Sequence, residues 1–109
     1  MSEKSVILIG SSPTSGKATI NLTLVHQLAA AGQVVQVCLL QDGVLAGLDA
    51  GWAKRVRTEV PGATICALDE DLSLRGFGIP DLAPGVVHLD YAGLVQAIMD
   101  DGVHVLGVL

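Results

Sequence analysis

The sequence predicts an α/β fold, a three-layer α/β/α domain built around a mostly parallel five-stranded sheet. Three apolar runs each end at an acidic residue, namely Asp42, Asp69 and Asp90. An aspartate at such a point can accept hydrogen bonds from the first free backbone N–H groups of a helix, and its charge suits the positive end of the helix dipole. A content of 50% apolar and 16% charged residues fits strands that helices bury on both faces. The carboxyl ends of such strands form the edge where sites usually lie.

The first part of the chain predicts two strands separated by a helix. Residues 6–9 are consecutively apolar and form the first strand. A helix follows, because apolar residues recur at spacings of three and four, and Gly32 is placed to end it. The second strand covers residues 33–41, with Cys38 near its middle.

The middle of the chain predicts short helices around a third strand. Residues 43–60 are less regular, since two glycines interrupt the helical pattern, and we interpret them as two short helices. Residues 63–68 form the third strand. The acids from Asp69 to Asp71 then open a short helix that Gly76 ends.

The last part predicts a loop, a short strand, a helix and a final strand. Residues 77–85 hold two prolines and two glycines and are therefore a loop. Residues 86–89 form the fourth strand and residues 103–109 the fifth. The helix between them, at about 91–101, has an apolar stripe made of Leu94, Val95, Ile98 and Met99.

Size and composition narrow the class of protein. A chain of 109 residues predicts one domain, residues 1–109. The longest apolar runs are strand-like, whereas a membrane-spanning helix needs about 20 residues, so we expect no membrane segment. With no signal-peptide pattern at the start, a cytoplasmic location is expected. The net charge of −5 argues against direct contact with nucleic acid. A mean hydropathy of +0.58 in so small a domain favours association with other subunits.

Residues 10–19 bear a partial likeness to a phosphate-binding P-loop. That loop needs four residues between its glycines and a Ser or Thr directly after the lysine. Here five residues separate Gly10 from Gly16, and Ala18 occupies the hydroxyl position. Carboxylates at the same edge of the sheet would also repel a triphosphate. A small nucleotide-binding module therefore remains only as a remote alternative, and we predict no cofactor.

Cys66 is the candidate for covalent chemistry. It lies shortly before a predicted helix, whose N-terminal dipole favours the nucleophilic thiolate. Three carboxylates at 69–71 act in the opposite direction, because negative charge raises the pKa of a thiol. Cys66 is therefore either a buried, inert residue or a nucleophile, whereas Cys38 in mid-strand is expected to be inert. The three histidines show no ligand spacing, so we predict no metal site.

Three segments together give the chain a family resemblance: residues 39–44, residues 67–72 and residues 89–91. The chain resembles the DsrE/DsrH-like sulfur-relay family and most closely its TusB/DsrH branch. The resemblance implies a role in passing persulfide sulfur, either toward 2-thiolation of the tRNA wobble uridine or within dissimilatory sulfur oxidation. The sulfur-carrying cysteine of such relays belongs to the DsrE/TusD-type subunit, and the TusB-type subunit commonly lacks it.

This resemblance implies a subunit of a sulfur-relay complex that is structural rather than sulfur-carrying. Its implied partners are DsrE/DsrF-type (TusD/TusC-type) subunits or further copies of itself, with contact to a sulfur-carrier protein through the complex. Asp42, Asp69 and Asp90 would then cap helices, and Gly43 would permit a tight turn. The alternative is a stand-alone sulfurtransferase in which Cys66 carries the persulfide.

Overall fold

In the computed structural model, which describes residues 4–12, 18–100 and 102–108, five parallel strands form one sheet. Their order across the sheet is β4-β3-β2-β1-β5, and every neighbouring pair is parallel. The predicted α/β class and parallel sheet are confirmed. The strands are β1 (Lys4–Ile9), β2 (Val34–Leu39), β3 (Thr64–Leu68), β4 (Val86–Leu89) and β5 (Val103–Val108).

Helices connect the strands within the described part of the chain. The α-helices are α1 (Ala18–Ala30), α2 (Ala50–Glu59), α3 (Asp69–Leu74) and α4 (Tyr91–Met99). Two 3₁₀ helices, Gln41–Leu48 and Ile79–Asp81, complete the connections. The first of these and α2 are the two short helices predicted for residues 43–60, while the second lies inside the predicted loop at 77–85. No helix of the described residues is long and apolar enough to span a membrane.

The two faces of the sheet are packed differently. One face, which we call the covered face, carries Ile7, Val37 and Ile65 and packs against α1, α2 and the 41–48 3₁₀ helix. The other, which we call the α4 face, carries Val6 and Cys38 and packs against α4. Alternation along each strand assigns residues to these faces, since neighbouring side chains of a strand point to opposite sides.

Glycines end two of the helices as predicted. Gly32 and Gly76 have φ values of 84° and 81°, in the left-handed region where glycine alone is unstrained. Gly43 closes a turn after β2, since its N–H donates to the carbonyl oxygen of Leu40 at 2.9 Å, and the left-handed residue of that turn is Gln41, with φ 52°. Close packing requires glycine at position 43, since a methyl group there would overlap the carbonyl oxygen of Ile9.

The apolar stripe of α4 is only partly buried. Leu94 is buried and Ile98 packs beside it, but Met99 is 73% exposed and Val95 also faces solvent. The helix contains no charged residue to mark a solvent side, so its sequence could not show which apolar residues face the sheet. Of the remote nucleotide-binding loop at 10–19, residues 13–17 lie outside the described residues.

Candidate functional site

The carboxyl ends of the strands bring three connections together, as the sequence predicts. The 41–48 3₁₀ helix follows β2, α3 follows β3, and α4 follows β4. Because these strands are parallel neighbours, the three helix starts lie at one edge of the sheet. The edge therefore collects Asp42, Asp69, Asp71 and Asp90, together with Gly43.

The three acids at the start of α3 each contact a neighbouring connection. Asp71 Oδ2 accepts a hydrogen bond from the backbone N–H of Gln41 at 2.7 Å. Glu70 Oε2 accepts one from the backbone N–H of Tyr91 at 3.1 Å. Asp69 Oδ2 lies 3.1 Å from His88 Nδ1, at the end of β4. The first turn of α3 thus joins the starts of both neighbouring helical segments to β3.

Arg75, at the end of α3, supplies the positive charge of this edge. Its Nε and Nη2 donate to Asp42 Oδ1 at 3.1 and 3.0 Å, and its Nη1 donates to the backbone carbonyl of Asp71 at 3.1 Å. The guanidinium therefore bridges the 41–48 3₁₀ helix and α3 while it offsets two carboxylates. The role of Arg75 was missed at first, although its spacing of four residues from Asp71 is that of a helical ion pair.

The helix-capping prediction is confirmed for Asp90 and wrong for Asp42 and Asp69. Asp90 Oδ1 accepts from the backbone N–H of Gly93 at 2.7 Å and caps α4. The residues that precede the other two helices, Leu40 and Leu68, make no side-chain cap. Asp42 and Asp69 lie one or two residues inside their helices, so their side chains reach Arg75 and His88 instead.

A cap on α2 was also missed. Asp49 Oδ1 accepts from the backbone N–H of Trp52 at 3.1 Å, in the pattern of an N-cap. The signal in the sequence is an aspartate three residues before Trp52. Gly47 and Gly51 on either side interrupt the helical pattern and obscure this helix start.

Two open concavities lie beside the start of α3. The larger, about 610 Å³, is lined by Asp69, Glu70, Ser73, Leu74 and Asp90. The smaller, about 250 Å³, adds Phe77 and Ile79 beyond Asp69 and Ser73. Leu74 and Ile79 are exposed, and Asp69 Oδ1 is buried without a hydrogen-bond partner. Exposed apolar side chains next to carboxylates make a surface suited to another protein rather than to a small anion.

Both cysteines lie within strands of the sheet. Cys38 and Cys66 are register partners on β2 and β3, and they are 3% and 6% exposed. Both belong to the α4 face, where Gln36 Nε2 donates to Cys66 Sγ at 3.4 Å. Burial, with a smaller effect of Cys66, raises the pKa of Cys38 from 9.0 to about 12. Within the described residues no three side chains of His, Cys, Asp or Glu converge as a metal site.

Comparison with known proteins gives a family and a fold. A family model described as DsrH like protein matches residues 14–103. No curated protein matches the chain at a significant level. Two solved structures share the fold at low sequence identity, and they establish the fold alone.

The first of these is the protein of unknown function MTH1491 from Methanobacterium thermoautotrophicum. It has 18% identity and a TM-score of 0.80, with 97% of this chain and 99% of that chain covered. The second is the ychN protein from E. coli, with 19% identity and a TM-score of 0.76. Here the match covers 99% of this chain and 100% of that chain.

Proposed function

Because the chain belongs to the DsrH-like family, we propose that it is a subunit of a persulfide-relay complex that contributes a docking surface and carries no sulfur itself. The covalent steps then take place on a cysteine of a DsrE-type (TusD-type) sister subunit. The downstream process is 2-thiolation of the tRNA wobble uridine or dissimilatory sulfur oxidation. The complex acts in the cytoplasm.

The burial of both cysteines carries the proposal. A persulfide carrier must present its thiolate to a donor and then expose the outer sulfur to an acceptor. Cys38 and Cys66 are the only two cysteines of the chain, and both lie within strands on the α4 face. The raised pKa of Cys38 leaves almost none of its thiolate at neutral pH. The burial of both thiols supports a role without sulfur exchange.

The contacts of the carboxylates at the strand ends also support the role of a docking subunit. Asp71 and Glu70 accept backbone hydrogen bonds from neighbouring connections, and Asp69 contacts His88. These contacts hold the edge of the sheet in one shape, which a docking surface requires. The edge holds carboxylates where a nucleophilic site would need groups that stabilise a thiolate.

The nature of the exposed residues indicates the kind of partner surface. Leu74 offers apolar area beside the carboxylates of Glu70 and Asp90, and Ile79 lies in the concavity that contains Asp69. A sister subunit that docks here would present apolar side chains flanked by lysine or arginine. Complementary charge of this type raises association rates and orients the partner.

The test compares alkylation and sulfur loading of the native chain. We expect iodoacetamide near neutral pH to leave both cysteines unmodified in the folded protein and to modify both in denaturant. Incubation with a polysulfide donor should give no mass gain of one sulfur atom. Cys66→Ala and Cys38→Ala are the matched variants that identify any reactive thiol.

One result would overturn this proposal in favour of the alternative function. If Cys66 reacts in the native chain, gains one sulfur and passes it to an acceptor thiol, the chain is a stand-alone sulfurtransferase. The proposal also predicts the behaviour of the complex with DsrE-type and DsrF-type subunits. A complex that contains the Cys38→Ala, Cys66→Ala double variant should transfer sulfur at the same rate as the wild-type complex.

A further inference from the structure

Cys38 and Cys66, the two cysteines of the chain, lie opposite each other on the neighbouring strands β2 and β3. Neighbouring strands of a sheet are about 4.8 Å apart, and the side chains of register partners point to the same face. A disulfide needs a Cα–Cα distance of roughly 4.4–6.8 Å. The backbone spacing therefore permits a bond between these two residues, both of which are free thiols in this structure.

From this register we infer that Cys38 and Cys66 form an intramolecular disulfide when the folded chain meets hydrogen peroxide. The modification joins β2 to β3 inside the sheet and involves no other protein. It goes beyond the proposed function and does not depend on it, because a chain that carries no sulfur for a relay can still oxidise its own two thiols.

The packing around Cys38 favours reaction with Cys66. Cys38 is 3% exposed and belongs to an apolar cluster with Val6, Leu68 and Leu94, whose side chains have no reactive group. After burial, the nearby Cys66 is the next cause that raises the pKa of Cys38, which is a second sign that the two thiols are close. Cys38 is therefore shielded from large reagents while a second sulfur lies beside it.

Cys66 is the thiol that an oxidant reaches first. It is 6% exposed, and its register partner on the other side is Val87 of the edge strand β4, which is 52% exposed. Thr64, two residues earlier on the same face of β3, is also exposed. Exposure thus rises from Cys38 through Cys66 to Val87. Hydrogen peroxide is small and neutral and needs a smaller opening than iodoacetamide or a sister subunit does.

Gln36 favours Cys66 as the first sulfur to react. Its Nε2 donates a hydrogen bond to Cys66 Sγ at 3.4 Å. This donor stabilises the negative charge that develops on the sulfur as its proton leaves. Cys38, whose pKa is raised to about 12, stays protonated and reacts second.

The oxidation proceeds in two balanced steps. The Cys66 sulfur attacks one oxygen of hydrogen peroxide, the O–O bond breaks, and the other oxygen leaves as water with the thiol proton, which makes Cys66 a sulfenic acid. The Cys38 sulfur then attacks the Cys66 sulfur, the S–S bond forms and the S–O bond breaks. The hydroxyl group leaves as water with the Cys38 proton. The two thiols lose two electrons and two protons, and hydrogen peroxide is reduced to two water molecules.

The test treats folded wild type, Cys38→Ala and Cys66→Ala with millimolar hydrogen peroxide at neutral pH. Circular dichroism verifies the fold, and mass spectrometry follows. We expect wild type to lose two hydrogen atoms, to remain a single chain and to take up no iodoacetamide after denaturation. Cys38→Ala should stop at the Cys66 sulfenic acid, which dimedone labels. Cys66→Ala should keep Cys38 as a thiol that iodoacetamide labels after denaturation.

The inference is wrong if folded wild type keeps both thiols, or if its disulfide links two chains. Urea unfolding of oxidised and reduced wild type keeps the test decisive when a variant does not fold. A disulfide that fits the native register restricts only the unfolded chain, so the unfolding equilibrium constant should fall at least about tenfold on oxidation. A rise would show that the folded register opposes the bond. Sulfur loading from polysulfide and transfer to an acceptor thiol test the proposed function separately.

Discussion

The covered face and the α4 face of the same sheet differ in how much of the chain packs against them. Among the described residues, the hydrophobic cluster of the covered face contains fifteen buried residues, and that of the α4 face contains four. Connections from β1 through β2 and β3 to β4 place α1, α2 and the 3₁₀ helix at 41–48 on the covered face. The return from β4 to β5 leaves α4 to cover the other face. One face therefore supplies most of the stability, while the other leaves apolar surface available for a partner.

The handedness of the connections explains this asymmetry. Parallel strands are joined almost always by right-handed crossovers. The strand order β4-β3-β2-β1-β5 means that three successive connections move in one direction across the sheet and the last one moves back. Right-handed connections that run in opposite directions lie on opposite faces. A single nine-residue helix therefore covers the face that holds both cysteines.

The largest expected effect is on the covered face. Ile7 is fully buried on the central strand β1, so Ile7→Ala should destabilise the protein by about 3–4 kcal/mol through lost burial and a residual cavity. Urea unfolding measures the change, and Val34→Ala, at an exposed strand position, is the control. A loss below about 1 kcal/mol for Ile7→Ala would contradict the assignment of stability to this face.

The second prediction concerns truncation of a buried side chain on the α4 face. Leu94 is 8% exposed and packs with Val6, Cys38 and Leu68 beneath a single helix. Leu94→Ala should cost about 2–3 kcal/mol, less than Ile7→Ala, because α4 can settle into the space. Met99→Ala on the same helix should change the free energy of unfolding by less than about 0.5 kcal/mol. If Leu94→Ala proved the more damaging of the two core variants, the asymmetry between the faces would be wrong.

The third prediction concerns the edge where the connections meet. Asp71→Ala removes the acceptor of the Gln41 N–H and a carboxylate near Arg75, and should cost about 1.5–2 kcal/mol. Asp71→Asn keeps an acceptor oxygen and should lose less. Urea unfolding of both variants separates the hydrogen bond from the charge. Equal losses would mean that the Gln41 hydrogen bond contributes nothing beyond the ion pair.

The last prediction is a pH dependence that is specific to the α4 face. The pKa of Cys38 is raised from 9.0 to about 12 by burial, so the unfolded chain releases this proton at lower pH than the folded one does. The associated stability is complete below pH 9.0 and is lost as the pH rises toward about 12. Wild type should lose up to about 1.4 kcal/mol more per pH unit in this window than Cys38→Ala does.

The measurement is urea unfolding at several pH values above 9, with Met99→Ala as a variant that retains Cys38. Met99→Ala should keep the wild-type slope. If Cys38→Ala follows the same slope as wild type, Cys38 is accessible to water, and the α4 face is more open than the contacts of Leu94 indicate.

Particular residues show how far the sequence alone could lead. The strand at Val86–Leu89 and the stops at Gly32 and Gly76 were predicted correctly, because apolar runs and left-handed glycines are local signals. The cap at Asp90 was predicted for the same reason. The exposure of Met99 was not, since nothing in an uncharged helix marks its outer side.

What the sequence determined by itself is the alternation of strands and helices and the edge at which its acidic residues gather. Only the tertiary structure decided what those acids do. Asp71 meets Gln41 across thirty positions and Glu70 meets Tyr91 across twenty-one. Likewise, only folding decided that Cys38 and Cys66 lie side by side on neighbouring strands. The physical reason is range: capping and periodicity act within one turn, whereas these contacts depend on the order of strands across the sheet.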